Sequence, residues 1–259
     1  MGVRLSVRGR LDRLIGPYAL FLLREATGRS DPLPHILPTP PAALAAGTTV
    51  AFWSLGAGVG TSTVAALVAH RSTAARAPAL LVDLDRHAPA LALRAGVQAA
   101  TVSDALLRPG REHELVSRWE RTPFLPGAPG LHASFDGERV AALVARAAAG
   151  RPAVLDLGAG VDALDPAILS RCTRLFVCVG TSVAQLQAAF CSVPALASSE
   201  VPVSLVVVRA SEDDARRIAD RLPWPLASAI PADEHLAADE FATRAPTLHA
   251  IDRVIRAAA

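Results

Sequence analysis

Short apolar runs alternate with helical stretches along most of the chain. Six runs of apolar or β-branched residues, each bounded by turn or helix signals, predict strands: Thr49–Ser54, Ala79–Asp83, Ala153–Asp156, Leu175–Gly180, Ser204–Arg209 and Ala227–Ile230. Residues 121–126 are a further candidate strand. The segments with helical patterning are Thr61–His70, Gly137–Ala148, Val183–Phe190, Glu212–Arg221 and Leu248–Ala258. This alternation predicts an α/β fold with a mostly parallel central sheet flanked by helices.

Local signals refine this picture at two places. Ser211 stands directly before a run that begins with three acidic residues, which predicts an N-cap for the fourth helix. Residues 97–135 contain Trp119, Pro126 and Pro129, which interrupt any regular period. We predict a loop there, with one short helix near residues 102–107.

The chain begins with a basic segment that proline sets apart. Residues 31–41 hold five prolines, which fix φ and disfavour helix in the residue before each one, so 31–46 is predicted as a stiff linker. It separates residues 1–30, a short helical extension, from an α/β domain at 47–259. Apolar residues of the extension recur at helical spacing with arginines on much of the other face: Leu11, Leu14, Ile15, Tyr18 and Leu22. Such a segment suits a membrane surface or a partner groove, and equally a helix that folds back over its own sheet.

Composition narrows the class of protein. Hydrophobic residues make up 51% and charged residues 19%, which is typical of a well-buried parallel sheet. The net charge of +2 gives no support for nucleic acid as a partner, and residues 211–259 carry six arginines against nine carboxylates. The three cysteines lack metal or disulfide spacing, and no apolar run approaches the ~20 residues that cross a bilayer. We therefore expect a cytoplasmic protein, peripheral to the inner membrane face if residues 1–30 bind lipid.

A glycine-rich turn after the first strand carries the candidate chemistry. It reads Gly56-Ala57-Gly58-Val59-Gly60-Thr61-Ser62-Thr63 and continues into an apolar helix. Small residues let backbone N–H groups point at an anion, and the helix N-terminus adds its dipole. A Walker A loop reads G-x-x-x-x-G-K-[ST]; aligned on Gly60 and Ser62, the first glycine is Leu55 and the lysine is Thr61. The turn is a phosphate-binding loop in outline, without its cation.

On this loop the body resembles the ParA/MinD family of deviant Walker ATPases, whose loop is K-G-G-x-G-K-[ST]-T. Gly56 falls at the signature lysine and Thr61 at the Walker lysine, so both lysines are replaced. The pilus-assembly branch, CpaE/TadZ, also often replaces the second lysine but usually keeps the first. The resemblance is nearest to that branch and to the septum-site-determining branch.

Other landmarks of the family follow in order along the body. Asp85, after the second strand, stands where the family has an aspartate that orients the attacking water. Asp156 is similar to the Walker B carboxylate of a D-x-P-x-G segment, with Gly158 in place of the proline. Arg209 ends a strand where the family has an Asn-Arg pair that reads adenine, although the asparagine is missing, and Pro231 lies in a turn similar to I-P-x-D beside the adenine.

The resemblance implies ATP and Mg²⁺ as cofactors, with Ser62 and Asp156 as metal ligands. It also implies a protein partner in a positioning or assembly system, and a homodimer. No lysine occurs in the sequence, yet the two loop positions became uncharged rather than arginine. Losing a charge that follows the transferring phosphoryl costs ~3–4 kcal/mol, or ~10²-fold to 10³-fold in rate. We therefore expect weak or no ATP hydrolysis and a protein that acts mainly through its surfaces.

Two other interpretations stay open. The first is a working ATPase whose charge comes from an arginine near the loop or near Asp85, with Arg86 a better candidate than Arg71 or Arg76. The second takes the three glycines 56, 58 and 60 as a dinucleotide fingerprint, with Asp83 on the ribose, as in a Rossmann oxidoreductase. The G-x-G-x-x-G spacing fails there, because Thr61 or Thr63 occupies the final glycine position.

Overall fold

One mostly parallel sheet organises the part of the chain that the computed structural model describes, residues 40–129, 135–237 and 243–259. Its strands are β1 (Thr49–Ser54), β2 (Leu80–Asp83), β3 (Ser117–Trp119), β4 (Thr122–Leu125), β5 (Ala153–Ala159), β6 (Arg174–Val179), β7 (Val203–Val208) and β8 (Leu226–Ile230). They lie in the order β3-β4-β2-β5-β1-β6-β7-β8, and all neighbours are parallel except β3 and β4. The predicted α/β fold is confirmed. The amphipathic segment predicted at 1–30, and the linker up to residue 39, lie outside the described residues.

Helices cover both faces of this sheet. They are α1 (Thr61–Ala74), α2 (Leu91–Ala95), α3 (Val102–Leu106), α4 (Glu112–Leu115), α5 (Gly137–Ala148), α6 (Pro166–Leu169), α7 (Val183–Leu196), α8 (Glu212–Ala219), α9 (Glu234–Ala237) and α10 (Ala245–Ala257). The five predicted helices are present, and the predicted N-cap at Ser211 accepts a hydrogen bond from the Asp214 N–H at 3.1 Å. Among the described residues, none of the helices is both long enough and apolar enough to span a bilayer.

The stretch 97–135 is more regular than the sequence predicted. The short helix near 102–107 is present as α3, and the candidate strand at 121–126 is β4. Two elements were not predicted from the sequence: α4, and the strand β3 that pairs antiparallel with β4. Elements of three or four residues show no measurable period, and only the neighbouring β2 decides where β4 adds to the sheet.

Alternating side chains on the strands build an apolar layer on each face of the sheet. In β1, Val50 and Phe52 point to the layer that contains α1 and α10, where Phe52 stacks on Phe176 at 5.0 Å between ring centroids. Ala51 and Trp53 point to the opposite layer, which contains α5 and α7. Burial on both faces explains why these strands read as nearly continuous apolar runs.

A buried ion pair joins α1 to α10 at the end of α1 remote from the glycine-rich loop. Arg71 Nε and Nη2 donate to the two oxygens of Asp252 at 2.8 and 2.7 Å. Asp252 Oδ1 also accepts the Ala42 N–H at 2.9 Å, and the Leu44 N–H donates to Ser72 Oγ. The last residues of the Pro-rich segment are therefore fastened to the body.

The carboxyl of Asp252 is tuned by these contacts. Burial by itself raises its pKa, but the hydrogen bonds from Arg71 and the Ala42 N–H outweigh burial, and its pKa lies below the ordinary value. A carboxylate with a lowered folded pKa stabilises the protein above its unfolded pKa, and this contribution is lost as pH falls through the folded pKa.

Asp252→Ala should cost about 3–5 kcal/mol of unfolding free energy at pH 7, because it leaves the Arg71 guanidinium buried without its counter-charge. Urea unfolding measures the loss, which should shrink below about pH 4 as the wild-type carboxylate is protonated. Asp213→Ala is the matched control, since the ion pair of Asp213 with Arg216 is exposed and such pairs contribute little. Equal losses in the two variants would contradict the role given to the buried pair.

Candidate functional site

The glycine-rich loop lies at the carboxyl edge of the sheet, between β1 and α1. Gly58 and Gly60 have φ of 75° and 105°, values that glycine adopts without strain. Gly60 is the N-cap of α1 and has no side chain to accept from the first N–H groups, and the first turn contains no acid. The start of α1 thus presents backbone donors and the positive end of its dipole to an anion.

The two positions at which the ParA/MinD-type loop has lysines are neutral and closely packed. Thr61 is buried, and its hydroxyl donates to Ser54 Oγ at 3.0 Å. Ser54 Oγ in turn donates to the Gly56 carbonyl at 2.8 Å. A Cβ at Gly56 would lie 3.4 Å from the Cβ of Ala188, so α7 packs directly against the loop. Hydroxyl groups brace the loop from within, and neither position supplies charge.

Three aspartates gather at the carboxyl ends of β2 and β5. Asp83 and Asp156 are buried and lie in register on these neighbouring strands. Asp85 packs on Gly158, where an added Cβ would lie 2.4 Å from the Asp85 Cγ. Gly158 also has φ of 68°, which proline cannot adopt. Glycine replaces the expected proline here because both the backbone conformation and the contact with Asp85 demand it.

Asp156 has one satisfied oxygen and one that a cation would satisfy. Its Oδ1 accepts the Gly158 N–H at 3.0 Å, whereas Oδ2 is buried with no hydrogen-bond partner among the described residues. Burial raises its pKa to about 7, against the lowering effect of the Ser62 hydroxyl and the Gly158 N–H. Ser62 therefore lies beside Asp156, and a hydroxyl with a carboxylate fits Mg²⁺. Among the described residues no group of three or more His, Cys, Asp or Glu could hold a metal, so phosphate or water oxygens would complete the shell.

Asp83 serves the backbone rather than a ligand. Its two oxygens accept the N–H groups of Asp85 and Leu91 at 3.1 and 3.2 Å. Burial and then the neighbouring Asp156 raise its pKa well above the ordinary value. A buried carboxyl with both oxygens engaged is out of reach of a ribose, which argues against the dinucleotide interpretation.

The arginine that reaches the loop is not one of the three considered for this role. Arg71 pairs with Asp252, and Arg76 is exposed beyond the same end of α1. Arg86 lies 3.7 Å from Asp165 and stacks on Phe135, 3.4 Å from its ring centroid. Instead Arg209 Nη2 donates to the Gly58 carbonyl at 2.8 Å. Arg71 and Arg76 therefore do not supply charge to the loop, whereas a role for Arg86, which directly follows Asp85, stays a prediction.

A cleft of about 240 Å³ opens beside the loop on the β7 and β8 side. Its lining residues are Gly58, Val59, Gly60, Thr63, Val64, Leu67, Val208, Arg209, Ile230, Pro231, Asp233 and Leu236. Six of the predicted nucleotide-binding residues are among them: Gly58, Val59, Gly60, Thr63, Arg209 and Pro231. The apolar side chains that complete the cleft were not predicted, because single aliphatic residues in a buried strand or helix carry no sequence signal for ligand binding.

Comparison with known proteins gives the fold. No protein-family model matches the sequence, and no curated protein matches it. Solved structures do match. A ParA family ATPase from Chlorobium tepidum has a TM-score of 0.61 at 20% identity, over 82% of this chain and 93% of the other. A chain of the MinC:MinD cell division complex from Aquifex aeolicus gives 0.66 at 17%, over 81% and 95%. MinD complexed with Mg-ADP, from Pyrococcus horikoshii, gives 0.64 at 17%, over 81% and 95%.

The chain has the ParA/MinD fold. The resemblance inferred from motif order is confirmed at this level. Within this fold the loop has a cleft on one side and aspartate side chains on the other. The cleft lies over β7 and β8, while Asp85 and Asp156 lie on the β2 and β5 side. Gly56, Ala57, Thr61 and Ser62 do not line the cleft.

A buried arginine on α2 is a further part of the site. Arg94 is 7% exposed, and its Nη1 donates to Thr63 Oγ1 at 2.8 Å. Thr63 lines the cleft and belongs to the first turn of α1, so a positive charge lies one hydrogen bond behind the loop. Arg94 was not predicted from the sequence, because 31 residues separate it from Thr63 and its helix is only five residues long.

The raised pKa of Asp156 predicts a stability that falls as pH rises. Its folded pKa is about 7, above the ordinary value of 3.8 for an aspartate. Between these two pH values the folded protein binds more protons than the unfolded chain, so its stability falls as pH rises from one to the other. Asp156→Asn keeps an acceptor for the Gly158 N–H and should add on the order of 2 kcal/mol to the unfolding free energy at pH 8 and little at pH 4. Urea unfolding across this range measures it.

Asp220→Asn, at an exposed position, serves as the control and should not alter the pH profile. A wild-type stability that rises from pH 4 to 7 as steeply as that of the Asp156 variant would contradict the assignment.

Proposed function

We propose that this chain is a ParA/MinD-like positioning or assembly factor, of the pilus-assembly or septum-placement type, that acts mainly through protein–protein contacts. One observation carries the proposal. The loop keeps its glycine geometry and the metal-compatible pair Ser62 and Asp156, but both lysine positions are neutral and packed. The shape of a phosphate site is retained, and the charge needed for transfer is missing.

Electrostatics decides against rapid turnover. A transferring phosphoryl group needs positive charge on its oxygens, and the protein supplies most of the catalysis through that charge. Here the β2 and β5 side holds three aspartates, Arg86 beside Asp85 lies against Asp165 and Phe135, and Arg209 approaches the loop from the β7 side. We infer weak or no ATP hydrolysis, with nucleotide and Mg²⁺ retained as ligands. The Mg-ADP complex of one structural neighbour supports the ligand class.

Partners are expected to be proteins rather than nucleic acid. One neighbour of the same fold is a chain of a complex with a second protein, MinC, which supports a protein partner here. In the ParA/MinD family that this chain resembles, the signature lysine of one subunit of a homodimer contacts the phosphates bound by the other subunit. Gly56 cannot make that link, so any homodimer of this chain should be insensitive to ATP.

A second candidate function is an active ATPase switch rescued by an arginine. The contact of Arg209 with the Gly58 carbonyl favours it, because a guanidinium already lies at the loop. It requires the guanidinium to leave that carbonyl for the terminal phosphate. The position of Arg209 after β7, on the cleft side, makes this the lesser proposal.

Restoring the lysines tests the leading proposal. The purified wild type should release phosphate from Mg-ATP slowly or not at all, and Gly56→Lys with Thr61→Lys should raise the rate ~10²-fold by returning the missing charge. Gly56 tolerates a side chain because its φ is not positive. Because Thr61 is buried, a lysine at this position destabilises the fold. The single Gly56→Lys variant, which leaves Thr61 unchanged, is therefore measured in parallel.

Asp85→Asn in each background identifies activity that belongs to this site, because a contaminating ATPase would survive that change. Brisk, magnesium-dependent hydrolysis by the wild type that Asp85→Asn abolishes would reject the leading proposal and favour the arginine-rescued ATPase. Light scattering with and without Mg-ATP should give the same mass.

We also propose that residues 1–30 reach an anionic membrane surface. Their net charge of +4 attracts acidic lipid at about 1 kcal/mol per arginine near the surface. Replacing Arg4, Arg8, Arg10 and Arg13 of the full chain by glutamine should abolish co-sedimentation with phosphatidylserine vesicles. The control variant, Arg216→Gln with Arg217→Gln, should still co-sediment. Recovery that is equal for the two variants, or equal on neutral phosphatidylcholine vesicles, would contradict a membrane role.

A further inference from the structure

Charge is distributed unequally on the two sides of the loop. The strand order places β7 and β8 on one side of β1, and β5 and β2 on the other. The apolar cleft and Arg209 belong to the first side, and Asp83, Asp85 and Asp156 to the second. The start of α1 lies between them with its backbone donors. A ligand that crosses this edge passes from the side of Arg209 to the side of the three aspartates.

The direction in which a nucleotide would cross follows from the lining of each side. A base is an apolar plate that fits among Val208, Ile230 and Leu236. Backbone N–H groups of a P-loop cradle the α- and β-phosphates, which places them at the start of α1. A third phosphate would extend beyond the loop towards Asp85 and Asp156. Gly56 and Thr61, the two positions that carry lysine in a ParA/MinD-type loop, offer that phosphate no charge.

Two arginines lie close to the part of the loop where the first two phosphates of a nucleotide would bind. Arg209 Nη2 donates a hydrogen bond to the Gly58 carbonyl oxygen at 2.8 Å, and Gln185 Nε2 donates to the same oxygen at 3.4 Å. Arg209 has φ of 61°, a strained backbone for a residue other than glycine. The guanidinium is exposed at the cleft, and Arg94 adds its charge behind Thr63. Positive charge is concentrated where the α- and β-phosphates would lie.

We propose that this site selects a nucleoside diphosphate over the triphosphate, with Arg209 as its principal cation. The selection rests on the proposed nucleotide site and adds a ligand preference to it. A diphosphate would contact the guanidinium of Arg209 and the backbone N–H groups at the start of α1. The triphosphate brings its terminal charge towards Asp85, on the side of the sheet that also holds Asp156, while Arg86, the neighbour of Asp85, lies against Asp165 and Phe135. Mg²⁺ on Ser62 and Asp156 would offset part of this repulsion, so the preference is largest without metal.

Calorimetric titration of the full chain with ADP and with ATP, both in EDTA, tests the preference. ADP should bind at least about fivefold tighter than ATP, the scale of one like-charge contact in water. Added Mg²⁺ should narrow the ratio. GDP and GTP are titrated in parallel, because the adenine-reading asparagine is absent and the base is not assumed.

Two substitutions should move the affinities in opposite ways. Arg209→Gln removes a charge-assisted contact and should weaken ADP roughly tenfold, whereas Arg216→Gln, on an exposed face of α8, should not. Asp85→Asn removes one repelling charge and should strengthen ATP more than ADP.

Tighter binding of the triphosphate in EDTA, an unchanged ADP affinity in Arg209→Gln, or no binding of either diphosphate would each overturn the proposed preference. None of these results depends on turnover, so they are separate from the hydrolysis assay that tests the proposed function.

Discussion

Parallel pairing holds β1 between β5 and β6, and every part of the candidate site takes its position from that arrangement. Because parallel strands end at the same edge, the loop after β1 meets the carboxylates at the ends of β2 and β5 on one side and Arg209 after β7 on the other. Trp53 Nε1 strengthens the edge by donating to the Gly160 carbonyl at 2.7 Å. The apolar layers on both faces hold this pairing and leave the edge as the place for chemistry.

The two loop positions that carry lysine in a ParA/MinD-type loop are neutral here, and the loop is held by its own contacts. The glycine conformations hold the loop in place together with the hydrogen bonds from Thr61 to Ser54 and from Ser54 to the Gly56 carbonyl. Asp83 and Asp156 lie in register on β2 and β5, and burial is the main cause that raises the pKa of each carboxyl.

Arginine is the basic residue throughout this chain, and the structure uses it for different tasks. Arg71 fastens α1 to α10, and Arg86 stacks on Phe135 beside Asp165. Arg94 donates a hydrogen bond to Thr63 in the first turn of α1, and Arg209, which lines the cleft, donates one to the Gly58 carbonyl of the loop. The planar, permanently charged guanidinium allows all of these uses, including burial beside a carboxylate.

Local patterns in the sequence were enough for most of the fold and for the loop itself. Apolar runs located β1, β5 and β7, the glycines located the turn before α1, and Ser211 marked the start of α8, because each signal depends on neighbours within a few residues. Motif order also placed Asp85 and Asp156 at one edge. Tertiary structure alone decided which arginine meets the loop, since Arg209 and Gly58 are 151 residues apart. It likewise decided the pairing of β3 with β4, the position of Arg94 and the need for Gly158, because these depend on elements packed from distant parts of the chain, which no local period records.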